Sequence, residues 1–326
     1  ILKAKGARTM NKAYKYRLYP NAEQRILFAK TFGCVRFIYN RMLADKIKYY
    51  DETKQKLNNT PAQYKAEFEW LKEVDSLALA NAQLNLQNAY NNFFKNSKIG
   101  FPKYKRKHGG HLAYTTNNQG RTIRIENGRY IRLPKTGLVR IKLHRQIPQG
   151  YSIKSCTISW VPSGKYYVSI LTEYEVAISP IQANPERVLG LDMDMKNLFT
   201  DSQGNRAEYP RYFRQAQTKL KKEQRKLSHC KKKSNNYRKQ KMKVAALHER
   251  IANQRRDFLH KRSHQIAKDY DGVCIEDLDM KAIGQTLNLG KSVADNGWGM
   301  FTTFLGYKLA ERGKPIAKIG KWYPSS

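Results

Sequence analysis

Acid is scarce in this chain: 26 Asp and Glu stand against 62 Lys and Arg, a net charge of +36 over 326 residues. A folded state with that excess repels itself, and a polyanion relieves the repulsion. Paired cysteines are lacking too. Cys34, Cys156, Cys230 and Cys274 are scattered, and no CxxC occurs. Nothing in that pattern suggests a disulfide framework or a closed zinc site within these residues, and a reducing compartment is the natural reading. No apolar run approaches the roughly 18 residues of a membrane span, and no signal-peptide pattern is read at the start. The expectation is a cytoplasmic protein with no membrane partner. Residues 1–10, up to Met10, are read as upstream or vector-derived sequence outside the fold. What is present fits a folded chain: 40% hydrophobic residues, a length for about two domains, and 21 Tyr. Tyr beside Lys and Arg suits stacking on bases as well as contacts to phosphate.

The chain changes texture along its length. "NKAYKYRLYP" (11–20) alternates Tyr14, Tyr16 and Leu18 and predicts a strand. Residues 21–95 predict a helical unit. Asn21 is a cap, Ile26 to Leu43 recur at helical spacing, a polar stretch with Pro61 breaks the pattern, and periodicity returns from Tyr64 to Phe94. "GFPKYKRKHGG" follows as a basic loop. Short alternating segments over 112–178, divided by Gly and Pro, predict a sheet or barrel with a hairpin turning at "PSG" (162–164). "AISPIQANPER" (177–187) reads as a linker. "VLGLDMD" predicts a strand, with its antiparallel return in "KNLFTDSQGNRAEY". Residues 211–262 hold 19 Lys and Arg and three acids, a net of +16, with Val244, Leu247, Ile251 and Phe258 at helical spacing. They predict a long helix or helical hairpin with one packed face. "DGVCIEDLDM" (271–280) predicts a second short strand, "SVADNGWGMFTTFLGYKLAERGK" a helix closed near Gly313, and "PIAKIGKWYPSS" a last strand. Trp298 and Trp322 read as core.

The acids carry the chemistry. A short apolar strand delivers a carboxylate at its end twice: Asp192 after "RVLGL" and Glu276 after "GVCI", 84 residues apart. A lone acid after a strand is most often a turn residue or a helix cap. Two such strands in so basic a chain suggest carboxylates brought together, which repel and need a cation. Oxygen ligands without His or Cys favour a hard ion such as Mg²⁺. On a polyanion-binding protein this suggests phosphodiester hydrolysis, and two carboxylates are part of a two-ion site.

These segments together resemble the TnpB family, transposon-encoded RNA-guided DNA endonucleases related to type V CRISPR effectors. The resemblance runs nearly end to end from Tyr14, through "YKYRLYPNAEQ", "FIYNRML" (37–43), "NAYNNFF" (88–94) and "GFPKYKRK" (100–107). "GLDMDMKNLFT" is similar to the first RuvC motif, usually G-[IVL]-D-x-G-x-K. "RRDFLHKRSHQIAKDYDGVCIEDL" (255–278) is similar to the helix and strand of the second, and "SVADNGWGMFTTFLGYKLAERG" and "WYPSS" also match. The resemblance implies an α+β multidomain fold. A wedge-type β-barrel (11–20 and 96–180) is interrupted by a helical recognition unit (21–95) and followed by an RNase H-like RuvC α/β nuclease domain (187–326). It implies Asp192 and Glu276 as catalytic and metal-holding acids, a two-ion Mg²⁺ site, a guide RNA from the transposon end, and double-stranded target DNA beside a short motif. One protein per guide RNA is expected, near the nucleoid when on target. "TTNNQ" (115–119) is similar to a segment that touches the target-adjacent motif, so Thr116 and Asn117 are contact candidates. Ser76, Leu77 and Ala80 suggest a motif preference of its own. Lys103, Lys105, Arg106, Lys221, Lys222 and Arg225 are phosphate-contact candidates, although a charge run is often only a solvated face.

Two departures stand out. Asp194 replaces the usual glycine; as an i+2 neighbour of Asp192 on a strand it could crowd or extend the metal site, and it reads as a tolerated variant rather than a new ligand. Relatives continue past "PSS" into a zinc ribbon and a third RuvC motif with the last catalytic aspartate. Zinc is expected only with such a ribbon, and a chain truly lacking that motif is expected to cut poorly. Asp295 is the other tempting acid, though "SVAD" reads as a capping box. Three functions stay open: guided DNA endonuclease, guided DNA binder without cleavage, and guide-independent basic RNA-binding protein.

Overall fold

Tyr14, Tyr16 and Leu18 alternate with Lys15, Arg17 and Tyr19, so a strand puts the first set on one face. The computed structural model describes residues 7–107, 112–194, 196–286 and 295–320, and places them on β1 (Ala7–Tyr19) with Tyr14, Tyr16 and Leu18 buried. Residues 7–10 therefore belong to the fold, against the reading that set them aside. No Gly or Pro interrupts the extended run from Ala7 to Tyr19. Ser292 and the "WYPSS" segment with Trp322 lie outside the described residues.

Asn21 caps α1 (Ala22–Thr53). Its side chain accepts from the Gln24 N–H at 2.8 Å, and Gln24 Oε1 accepts from the Asn21 N–H at 3.1 Å. This reciprocal box satisfies two donors that a helix start leaves unpaired. Pro61 opens α2 (Pro61–Glu67), where its missing N–H is not needed. A short 3₁₀ turn leads to α3 (Ser76–Lys95), whose first turn is capped by Asp75. Then come β2 (Leu112–Asn117), β3 (Arg124–Glu126), β4 (Tyr130–Leu133), β5 (Gly137–Lys142), β6 (Ser152–Trp160) and β7 (Tyr166–Ala177). With β1 they form a seven-stranded sheet in the order β2-β6-β7-β1-β5-β4-β3. Helices α1–α3 are thus inserted after the strand at its centre. They share one core with it: Phe28, Phe32, Ile38 and Leu79 cluster with Tyr16, Tyr114, Ile158 and Val168. The β6–β7 hairpin turns where "PSG" predicts, with the Val161 N–H donating to Lys165 O at 2.9 Å and Gly164 at φ +80°.

A second compact unit takes in the chain from Val176 onward together with the N-terminal residues through Arg8. Its sheet, β11-β10-β8-β9, joins β8 (Val188–Met193), β9 (Phe199–Asp201), β10 (Gly272–Glu276) and β11 (Ile316–Ile319). β9 returns antiparallel to β8, whereas β10 runs parallel to both β8 and β11. Parallel neighbours need a long crossover. Between β8 and β10 it is a helical hairpin of α4 (Tyr212–His229) and α5 (Asn235–Asp269). Helices α6 (Met280–Thr286) and α7 (Trp298–Ala310) follow. Leu189, Leu191, Val273 and Ile275 meet Trp298, Phe301 and Leu305 in this unit's own core. Among the described residues, no helix is long and apolar enough to cross a membrane.

Candidate metal centre

Parallel pairing of β8 and β10 sets Leu189 beside Val273, Gly190 beside Cys274 and Leu191 beside Ile275. Asp192 and Glu276 are the next residues on each strand. The apolar partners point into the core, so the alternate positions put Gly190, Cys274 and both acids on the opposite face. Gly190 has a steric reason to lack a side chain, because a Cβ there would meet Ser202 Cβ at 3.2 Å. Its peptide is gripped from both sides, its N–H donating to Ser202 Oγ at 3.2 Å and its carbonyl accepting from the Ser202 N–H at 2.9 Å. That lock fixes the strand two residues before Asp192.

Asp192 is exposed and Glu276 half-buried. Desolvation, then the charge of Glu276, then that of Asp194 raise the Asp192 pKa above the ordinary carboxylate range, outweighing a stabilising Met193 backbone bond. Asp192 therefore senses the charge of Glu276 across the strand pair. Among the described residues, no group of three or more His, Cys, Asp or Glu gathers closely enough to hold a metal ion.

Asp194 behaves differently. β8 ends at Met193, so the i+2 alternation no longer governs Asp194. Its carboxylate accepts from the Lys196 N–H at 2.7 Å and from Asn197 Nδ2 at 2.7 Å. Burial works to raise its pKa, but those bonds and the charge of Arg206 prevail and hold it below the usual value. It closes the loop that leaves β8.

Asn296 ties the same loop down from elsewhere in the chain. Its Nδ2 donates to Asp194 O at 3.0 Å and to Asn197 O at 2.8 Å. Asp295, beside it, is buried at 4% exposure. Its Oδ1 accepts from Arg255 at 3.0 Å, from Tyr209 Oη at 3.1 Å and from the Phe213 N–H at 3.2 Å. Asp295 thus caps the start of α4 and pins α5 to it. Its partners lie 40 to 86 residues away, so the local capping-box reading had no signal that could find them.

The nucleic-acid candidates divide by burial. Thr116 is buried and its hydroxyl donates to Asp75, the cap of α3. Its side chain reaches no surface, which corrects its reading as a contact: on β2 the inward positions are Tyr114 and Thr116. Asn117 is half-buried on the alternate face. Thr115, on that face too, lines a cavity of about 360 Å³ together with Asn81, Asn85 and Lys105. The sequence reading passed over these two asparagines and Thr115, although Asn81 and Asn85 are four apart on a helix and share a face. Lys103, Lys105 and Arg106 lie on an exposed stretch. Lys105 is fastened to α1: its N–H donates to Asn40 Oδ1 at 2.8 Å, and its ammonium sits 4.1 Å from the Tyr39 ring centre. Lys221, Lys222 and Arg225 are exposed on α4.

A family profile described as a probable transposase, OrfB of IS605, matches residues 169–286. Another, described as a helix-turn-helix domain, matches residues 10–55. In this fold those residues are β1 and one unbroken helix, so they hold no helix-turn-helix. A Streptomyces pristinaespiralis protein named putative RNA-guided DNA endonuclease is 32% identical, the match covering 97% of this chain and 79% of that protein. An Escherichia coli K12 protein, putative RNA-guided DNA endonuclease InsQ, is 33% identical over 96% of this chain and 81% of its own. Among solved structures, a chain of a Cas12f1-sgRNA-target DNA complex aligns with a TM-score of 0.54. It covers 96% of this chain and 89% of that one at 11% identity, a likeness of fold.

Proposed function

Since this chain belongs to the TnpB family, the OrfB proteins of IS605-type transposons, we propose that it is an RNA-guided endonuclease that cuts double-stranded DNA. The carrying observation is the pair Asp192 and Glu276, set side by side at the ends of parallel strands in a chain of net charge +36. The basic surface holds nucleic acid, and the acids hold what cuts it.

The donor set fits a hard divalent cation: carboxylate oxygens, with Asp192 carrying negative charge that its neighbours make costly. Asp192 and Glu276 would hold Mg²⁺ ions, which when bound supply water activation and stabilisation of the leaving oxygen. The chain's own part is positioning. The Gly190–Ser202 clasp fixes β8 two residues before Asp192, and the Asn296 bonds hold the loop that leaves that strand. Exposed Lys221, Lys222 and Arg225 on α4 meet phosphates. On this reading the wedge element is 11–20 with 96–180, the recognition unit 21–95 and the nuclease domain 187–326. The cavity with Asn81, Asn85 and Thr115 reads a short target-adjacent motif in DNA. Pairing with a guide RNA from the transposon end reads the rest. One protein serves one guide RNA, in the cytoplasm and at the nucleoid when on target.

The test is single-turnover cleavage of a plasmid target by the guide-loaded chain in Mg²⁺. Cleavage by the parent, lost in Asp192→Ala and in Glu276→Gln with target binding retained, is the expected result. Target binding without cleavage by the parent would replace the endonuclease with a guided binder. RNA binding with no guide-dependent target capture would leave a guide-independent RNA-binding protein.

A further inference from the structure

We propose that a cavity near the C-terminal ends of α1 and α3 is an aromatic cage for one unpaired base of RNA, a site separate from the acids and from the Asn81 cavity. It measures about 570 Å³ and is walled by Tyr50, Tyr90, Phe93, Phe94 and Phe101. The rings are arranged, not merely near. Phe101 stands edge-on to Tyr90 at 5.5 Å and 86°, and edge-on to Phe93 at 5.5 Å and 80°. Phe94 stacks beside Tyr90 at 6.3 Å and 18°.

Four of these rings are enough to fill a small core, yet Phe94 keeps 77% of its surface exposed and Tyr50 55%. Leaving that much aromatic surface in water costs the fold hydrophobic stabilisation. A flat partner stacked on the rings would recover it.

Charge says which partner. Lys46 and Lys56 line the cavity, with Asp51 the acid among its walls. Phe101 is delivered by residues 98–107, which carry five Lys or Arg and no acid. A cationic ligand is repelled there. A second copy of a chain at +36 is repelled as well. A nucleotide satisfies both features, its base on the rings and its phosphate on the lysines. Gln55 and Asn91 in the wall supply amides for a base edge. The inference rests on the guided reading in one respect. Of the two nucleic acids that reading names, RNA is the one whose folded form presents unstacked bases in loops and bulges.

The experiment uses the full chain and two fluorescently labelled RNA probes, a hairpin with a single unpaired loop and a blunt duplex of equal length. Phe94→Ala is expected to weaken hairpin binding about tenfold while leaving the duplex unchanged. Phe94→Trp restores the affinity, and Phe94→Leu, equally apolar but without a π-face, does not. Phe94 is exposed, so these variants fold. Equal effects on both probes, no effect on either, or full rescue by Leu would overturn the cage and leave guided RNA binding intact. A parent chain that binds neither probe overturns the guided reading along with it. Light scattering that shows a dimer dissociated by Phe94→Asp would assign the face to a second copy, and would also overturn the cage.

Discussion

Two aspartates two residues apart have opposite electrostatic fates, and that separates their roles. Asp192, though exposed, has its pKa raised by partial desolvation and by the charges of Glu276 and Asp194, so the fold favours its protonated form. Its contribution to the stability of the metal-free chain is greatest below the ordinary carboxylate range and is lost as pH rises through its raised pKa. Asp194 has its pKa lowered by its loop bonds, so its contribution is present above the ordinary range and is lost as pH falls. Without divalent cations at pH 8, Asp192→Asn should therefore melt at a higher temperature than the parent. Mg²⁺ should raise the melting temperature of the parent more than that of the variant, because binding to the native state alone stabilises it. Scanning calorimetry with and without Mg²⁺ checks both, and an Asn variant that melts lower in the absence of metal would refute the strain assigned to Asp192. Asp295 is the contrasting case of an acid that stabilises by being paired. Removing it strands Arg255 in a largely buried position and uncaps α4. Asp295→Ala should cost about 3–5 kcal/mol, as for other broken buried pairs, read from the shift in the urea midpoint of the chain.

At the scale of elements, the features legible in the sequence were those whose partners lie within a few residues. The Asn21 cap, the turn at 162–164 and the two acid-tipped strands all stand where local pattern puts them. What was not legible depended on distant partners. Thr116 faces inward because β2 packs against α3 and Asp75 waits there, 41 residues away. Asp194 leaves the alternation because β8 stops one residue earlier. The pairing of β8 with β10 could be guessed from two acids in similar settings, but the Asn296 brace on the loop between β8 and β9 required a residue 102 positions from Asp194. The helical hairpin gives the prediction at this scale. Helix α4 carries Lys221, Lys222 and Arg225 on its exposed side. If all three meet phosphate, replacing them with Ala should shallow the log–log salt dependence of target-DNA binding by about 2–3. Fluorescence titrations across a range of NaCl concentrations measure the slope, and an unchanged slope would mark them as a solvated face.

For the whole molecule the deciding quantity is the charge of +36, and salt should act on it in opposite directions with and without nucleic acid. In the free chain, like charges within about 10 Å of one another at 0.1 M salt repel and weaken the compact state. Added salt screens that repulsion, so the melting temperature of nuclease-treated protein should rise between roughly 20 mM and 0.5 M NaCl. In the RNA-bound protein, phosphates already neutralise much of the excess, and bound RNA adds stability in proportion to its affinity. That affinity falls steeply with salt as counterion release loses its advantage. The bound protein should therefore start with the higher melting temperature and lose it over the same range. The two curves should converge at high salt, where the free and loaded forms become equivalent. Differential scanning fluorimetry of the two preparations side by side makes the comparison. Curves that run parallel would mean that the basic surface is not where RNA binds, and that the charge serves solubility instead.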